Sequence, residues 1–175
     1  MTQWVALLRG MNLGGNRMPM ADLRALCEGL GWCDVRSYIA SGNLVFRATG
    51  TGAGLAQALR AAMRAAGLDV PVLVLDAPAF RAMLAHCPFP GAAGTAVHGV
   101  ICWQDPVIDR ARLSALIADT ETLTVQGRTV WLHTPGGFGT SALAGKLAQV
   151  VTGTETTARN LNTLRALAEM LDSAD

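Results

Sequence analysis

The chain has 175 residues, 51% of them hydrophobic and 15% charged, with a formal net charge of +1. This composition excludes a disordered chain, and no stretch approaches the ~18 consecutive apolar residues of a membrane-crossing helix. Eight arginines against five acids give residues 1–88 a charge of +3, and five arginines and Lys146 against eight acids leave the remainder at −2, so neither half carries the polybasic footprint of non-specific nucleic-acid binding.

Residues 4–9 are a short apolar run suited to a buried strand. The run ends at Arg9-Gly10, too short for a secretory signal. Cys27, Cys33, Cys87 and Cys102 include no Cys-x-x-Cys pair. Reduced thiols and a cytoplasmic location are therefore expected. A glycine-rich loop follows over residues 10–17. Pro19 then opens a helix whose apolar face is Met20, Leu23, Leu26, Cys27 and Leu30, and Gly31 stops it. Residues 35–40 and 44–48 are predicted strands about a tight Ser41-Gly42-Asn43 turn. Leu55, Leu59, Ala62, Met63 and Ala66 mark a second helix closed by Gly67, and residues 70–75 a further strand. Asp76 caps a linking helix that Pro88 and Pro90 end.

The order then repeats. Residues 96–103 are a strand, and Asp105-Pro106 is read as the cap and first position of a helix carrying Leu113, Leu116 and Ile117. Residues 123–125 and 128–133 are strands about a Gln126-Gly127 turn. Ser141 caps a predicted helix with Leu143, Leu147, Val150 and Val151 on one side, and a last strand is placed near 154–157. Thr157 is read as the cap of a final helix over 158–171, striped by Leu161, Leu164, Leu167, Ala168 and Leu171. The fold expected is α+β: tandem ferredoxin-like (β-α-β-β-α-β) halves packed as one compact body, plus linking and C-terminal helices. The boundaries are 1–75 for the first half, 76–95 for the link, and 96–175 for the second half with its C-terminal helix.

Three polar stretches stand out. In the 10–17 loop, Gly10, Gly14 and Gly15 let backbone amides approach a ligand, Arg9 and Arg17 supply charge, and Asn12 and Asn16 offer neutral hydrogen bonds. Asn16-Arg17 stands where a P-loop requires Lys followed by Ser or Thr, so the loop is not a P-loop. A second glycine-rich loop, with Gly136, Gly137 and Gly139, leads from His133 to Ser141. The third stretch holds Thr157, Arg159, Asn160, Asn162 and Thr163 at the expected start of the last helix, where Arg159 and Asn160 can clamp a phosphate or carboxylate. His86, His98 and His133 show no metal-type spacing with one another, and no metal or cofactor is signalled. His133 with Ser141 is a weak nucleophile pair.

The segments Ala6-Leu-Leu-Arg-Gly-Met-Asn-Leu-Gly-Gly15, Met20-Ala-Asp-Leu-Arg24, Asp34-Val-Arg-Ser-Tyr-Ile-Ala-Ser-Gly-Asn43 and Thr157-Ala-Arg-Asn-Leu-Asn-Thr163 resemble the domain of unknown function 1697 family. The resemblance implies an intracellular α+β fold of two similar ferredoxin-like halves and brings no activity with it. Where that family's late loop carries Arg, Lys and Asn, this chain has Thr140, Ala142 and Gly145.

The function expected is binding of a small anionic, phosphate-bearing ligand by Arg9, Asn12, Gly14, Gly15, Arg17, Ser41, Gly42, Asn43, Arg159 and Asn160. The alternatives are an enzyme of unknown reaction in the same cleft, or a structural or regulatory homo-oligomer without a ligand. A small anion and a second copy of the chain are thus the expected partner classes, with nucleic acid disfavoured and a membrane excluded.

Overall fold

The computed structural model describes residues 1–15 and 17–173 and divides them into two compact units, Met1–Ala82 with Arg165–Asp175, and Met83–Leu164. The chain is mixed α and β, with antiparallel sheets and several helices.

The first unit runs β1 (Thr2–Leu8), α1 (Met20–Gly29), β2 (Cys33–Tyr38), β3 (Asn43–Ala48), α2 (Gly52–Ala65) and β4 (Val72–Asp76). Its sheet has the order β2-β3-β1-β4, antiparallel throughout. Central strand β1 is buried on both faces, so it reads in sequence as one unbroken apolar run. Trp4, Ala6 and Leu8 alternate onto the face that also takes Phe46, Val72 and Val74, with Leu23 and Cys27 of α1 and Leu55, Leu59 and Met63 of α2. Trp32 stacks on Phe46 at 4.1 Å, and the buried Trp4 Nε1 donates to Ala48 O at 3.1 Å. Helices α1 and α2 end alike: Trp32 N reaches Cys27 O and Gly31 N reaches Glu28 O, as Leu68 N reaches Met63 O and Gly67 N reaches Arg64 O.

Helix α3 (Ala77–Ala85) carries the chain across the division, and Asp76 Oδ1 caps it by accepting from Ala79 N at 2.7 Å. Helix α7 (Leu161–Asp172) brings it back. The last carbonyls of α7 are closed by side chains of the first unit: Gln3 Nε2 donates to Leu171 O at 3.0 Å, and Arg36 Nη2 to Met170 O at 2.5 Å. A cation at that terminus also complements the helix dipole.

The second unit holds β5 (Val97–Cys102), β6 (Val107–Ile108), α4 (Arg110–Leu116), β7 (Thr122–Gln126), β8 (Thr129–His133), α5 (Ala142–Gly145), α6 (Leu147–Val150), β9 (Val151–Thr152) and β10 (Thr156–Asn160). Its main sheet has the order β10-β5-β8-β7, again antiparallel, and β6 pairs with β9 separately. Val100, Val130 and Leu132 of the main sheet pack with Leu143, Leu147 and Val150 of α5 and α6.

Three predicted elements differ from the sequence reading. No helix opens at Pro106. Val107 and Ile108 are taken up by pairing with Thr152 and Val151, and α4 starts four residues later, at Arg110 under Asp109, whose Oδ1 accepts from Arg112 N at 3.0 Å. Ser141 does cap its helix, accepting from Ala144 N at 3.0 Å, but Lys146 leaves helical geometry at φ −119°, ψ 24°. The segment therefore splits into α5 and α6, and Val151 joins β9. The last helix begins at Leu161, because residues 156–160 pair antiparallel with β5, from Thr156 opposite Cys102 to Asn160 opposite His98. The cap is Asn160, whose Oδ1 accepts from Thr163 N at 2.9 Å, and not Thr157. Among the described residues no helix is long and apolar enough to cross a membrane.

Gly42 governs how the β2–β3 connection meets β1. It sits at φ +81°, and a Cβ there would lie 2.7 Å from Leu8 Cβ and 2.8 Å from Met11 Cβ. Leu8 N also donates to Gly42 O at 2.8 Å. Gly42→Ala therefore meets both left-handed strain and overpacking, and is expected to cost about 2–4 kcal/mol in denaturant unfolding. A loss below about 0.5 kcal/mol would contradict the contact.

Candidate functional site

The loop after β1 is held at both ends and from below. Arg9 N donates to Pro71 O at 3.0 Å beside β4. Met11 and Met18 are buried, pinning the loop into the first unit's core. Between them Asn12, at φ +58°, spans two segments: its Nδ2 donates to Ala40 O at 2.6 Å, and its Oδ1 accepts from Met18 N at 2.9 Å. One amide side chain thus ties the loop to the β2–β3 connection and closes the loop on itself. Asparagine tolerates the left-handed conformation this requires.

The sequence-predicted residues Arg9, Asn12, Gly14, Gly15, Arg17, Ser41, Gly42 and Asn43 thereby meet at one end of the first sheet. Their roles differ. Arg9, Gly14, Gly15 and Arg17 are exposed. Asn43 is fully buried and holds the connection together, donating from Nδ2 to Tyr38 O at 3.1 Å and to Ser41 Oγ at 2.9 Å. Asn16 lies outside the described residues. Arg159 and Asn160 belong to the second unit, on strand β10. Arg159 is buried, with Nη1 donating to Thr157 Oγ1 at 2.8 Å and Ala158 O at 2.9 Å. Burial pushes its guanidinium down to about 10, so it stays charged at neutral pH.

Two features at this end had no signal in the sequence. The acceptor of Asn12 is a backbone carbonyl, which no side chain announces. Ile39, 53% exposed, stands at φ +48°, a conformation disfavoured for a β-branched residue. Beside the loop, an open groove of about 440 Å³ is lined by Arg17, Met18, Pro19, Asp22 and Leu26. Asp22 on its wall opposes an anion there, which directs attention to the glycines of the loop itself.

In the late loop of the second unit, Ser141 Oγ is occupied as a helix cap, and the His133 ring packs on Phe89 at 5.1 Å. Among the described residues no hydrogen bond joins His133 to Ser141. Thr140 Oγ1 lies 3.0 Å from Gly136 O, bonding within the loop. Phe138 stacks on His98 at 3.8 Å, and burial pushes the His98 imidazole down to about 4. Burial also raises the thiols of Cys27, to about 12, and Cys102, to about 11, so both are protonated and unreactive at neutral pH. Among the described residues no group of three or more His, Cys, Asp or Glu side chains is placed to hold a metal ion.

A family model described as "Protein of unknown function (DUF1697)" matches residues 1–131. The chain belongs to the DUF1697 family. Among solved structures, that of the conserved bacterial protein SP0830 from Streptococcus pneumoniae is similar, with a TM-score of 0.74 and 25% sequence identity over 97% of this chain and 98% of that chain. No curated protein matches the chain.

His98 gives this DUF1697 chain a pH signature. The unfolded chain takes up a proton near the ordinary histidine value of 6.5, and the folded chain only near 4. In that window the unfolded state binds more protons, so stability falls as pH drops from about 6.5 to about 4. His98→Phe is expected to flatten that part of the pH–stability curve. An unchanged slope would contradict the neutral, stacked imidazole.

Proposed function

We propose that this DUF1697 protein binds a small anionic, phosphate-bearing ligand on the 10–17 loop, and that each of its two four-stranded sheets belongs to a ferredoxin-like β-α-β-β-α-β repeat. The repeat is supported by strand order: in each four-stranded sheet the sheet's first strand along the chain is flanked by its fourth and third, with the second at the far edge.

One observation carries the ligand reading. φ is positive at Gly10 (+69°), Asn12 (+58°) and Gly14 (+60°) and not at Met11 or Leu13 between them. Alternation of this kind favours a concave nest of backbone N–H groups suited to an anion; Leu13 N is taken up by Gly10 O at 3.4 Å, so the amides on offer are those around it. The Cβ positions of Gly10, Gly14 and Gly15 have nothing within 4 Å, which leaves room for a ligand against the backbone. Arg9 and Arg17 flank the nest with exposed guanidinium groups. The Asn12 clamp supports the reading further, since a loop already fixed loses little entropy on binding.

Each charge-assisted hydrogen bond is worth about 1.5–3 kcal/mol, so the nest with one arginine accounts for useful affinity without Arg159 or Asn160. Thermal denaturation with inorganic phosphate, nucleotides and sugar phosphates tests the proposal. A ligand at a hundredfold excess over its Kd is expected to raise the wild-type Tm by about 5–10 °C. Arg9→Ala is expected to weaken that ligand at least about tenfold while leaving the ligand-free Tm close to wild type. A wild type indifferent to all three classes of anion overturns the reading.

A further inference from the structure

We propose that strand β7 is an oligomerisation edge, by which two copies of this chain pair antiparallel about a two-fold axis at Thr124 and join their second sheets into one of eight strands. β7 ends the order β10-β5-β8-β7. Its sequence, Thr-Leu-Thr-Val-Gln, has no charge, no proline and an uninterrupted register against β8. Sheet edges left in this state are templates for another strand. The outer edge of the first sheet is guarded by contrast: β2 has a bulge between Cys33 and Arg36, with Asp34 at φ +52° inside it.

The β7–β8 turn fixes which backbone groups are available. Only Gly127 and Arg128 separate the paired residues Gln126 and Thr129, so Gln126, Thr124 and Thr122 direct their N–H and C=O groups to β8. Leu123 and Val125 direct theirs outward. Antiparallel pairing centred on Thr124 sets Leu123 of one copy opposite Val125 of the other, twice, and satisfies all four outward pairs of groups. It also keeps the faces matched. Leu123 packs with the apolar face beside α5 and α6, Val125 is 43% exposed, and each gains the other as a cross-strand apolar neighbour. Thr122 meets Gln126, and Thr124 meets its own copy.

Charge outside the strand favours the same arrangement. Asp119 and Glu121 precede β7, and Arg128 follows it in the turn. Antiparallel pairing sets the acidic approach of each copy beside the basic turn of the other. Arg128 already bonds Asp105 at 3.1 Å, with 62% of its side chain still exposed. A five-residue edge alone makes a small interface, so the association is of the weak, concentration-dependent class.

Sedimentation equilibrium from about 10 µM to about 1 mM tests this. The wild-type mass is expected to rise from 18.3 kDa toward twice that value. Thr124→Lys and Thr124→Glu, each placing like charges together at the axis, are expected to raise the dissociation constant at least about tenfold. Mixing the two in equal amounts restores association. Circular dichroism verifies that each variant is folded, and Val125→Lys, at an exposed position, decides the matter if neither Thr124 variant folds. A wild type that stays at 18.3 kDa across the range, or an association that survives every folded variant, overturns the proposal.

Discussion

The first unit depends on a contact that only glycine permits. Where Gly42 passes Leu8 and Met11, the β2–β3 connection lies against the strand and loop that follow β1 with no space for a Cβ. Asn12 adds its two hydrogen bonds at the same place. Together they convert a glycine-rich segment, free to roam in isolation, into a loop of defined shape. Met11 and Met18 give that shape hydrophobic anchorage, and the Ile39 backbone is held in a disfavoured conformation close by. Strain of this sort persists only where surrounding contacts over-determine it. Their combined effect is a loop anchored from several sides, with the exposed Arg9 and Arg17 at its two ends.

Local chemistry made much of this legible in the sequence. Gly31 and Gly67 end helices because a left-handed residue after the last turn satisfies the terminal carbonyls. Asp76 and Ser141 cap helices because a short oxygen-bearing side chain reaches the amide three residues on. The 10–17 loop and the Ser41-Gly42-Asn43 turn were both visible as polar, glycine-bearing breaks between apolar runs.

What escaped the sequence is what distant pairing decides. Thr156 to Asn160 precede a leucine stripe without interruption, and only hydrogen bonding to β5, more than fifty residues earlier, makes them a strand. Val107 and Ile108 follow a good capping pair, yet β9 claims them. The same distance problem applies to the site. Asn43 looked like a ligand contact and is buried in holding its own turn, while Ala40, read as the end of a strand, supplies the carbonyl that fixes Asn12. Among the groups the sequence singled out or the fold buries, Cys27 and Cys102 are protonated, His98 is neutral at physiological pH, and Ser141 is engaged as a cap.

The most direct measurement is an amide chemical-shift titration of the intact protein with inorganic phosphate. The account predicts saturable shifts concentrated in the amides of Gly10, Met11, Asn12, Gly14 and Gly15. A titration that leaves those five amides in place while others move, or moves none, would contradict it.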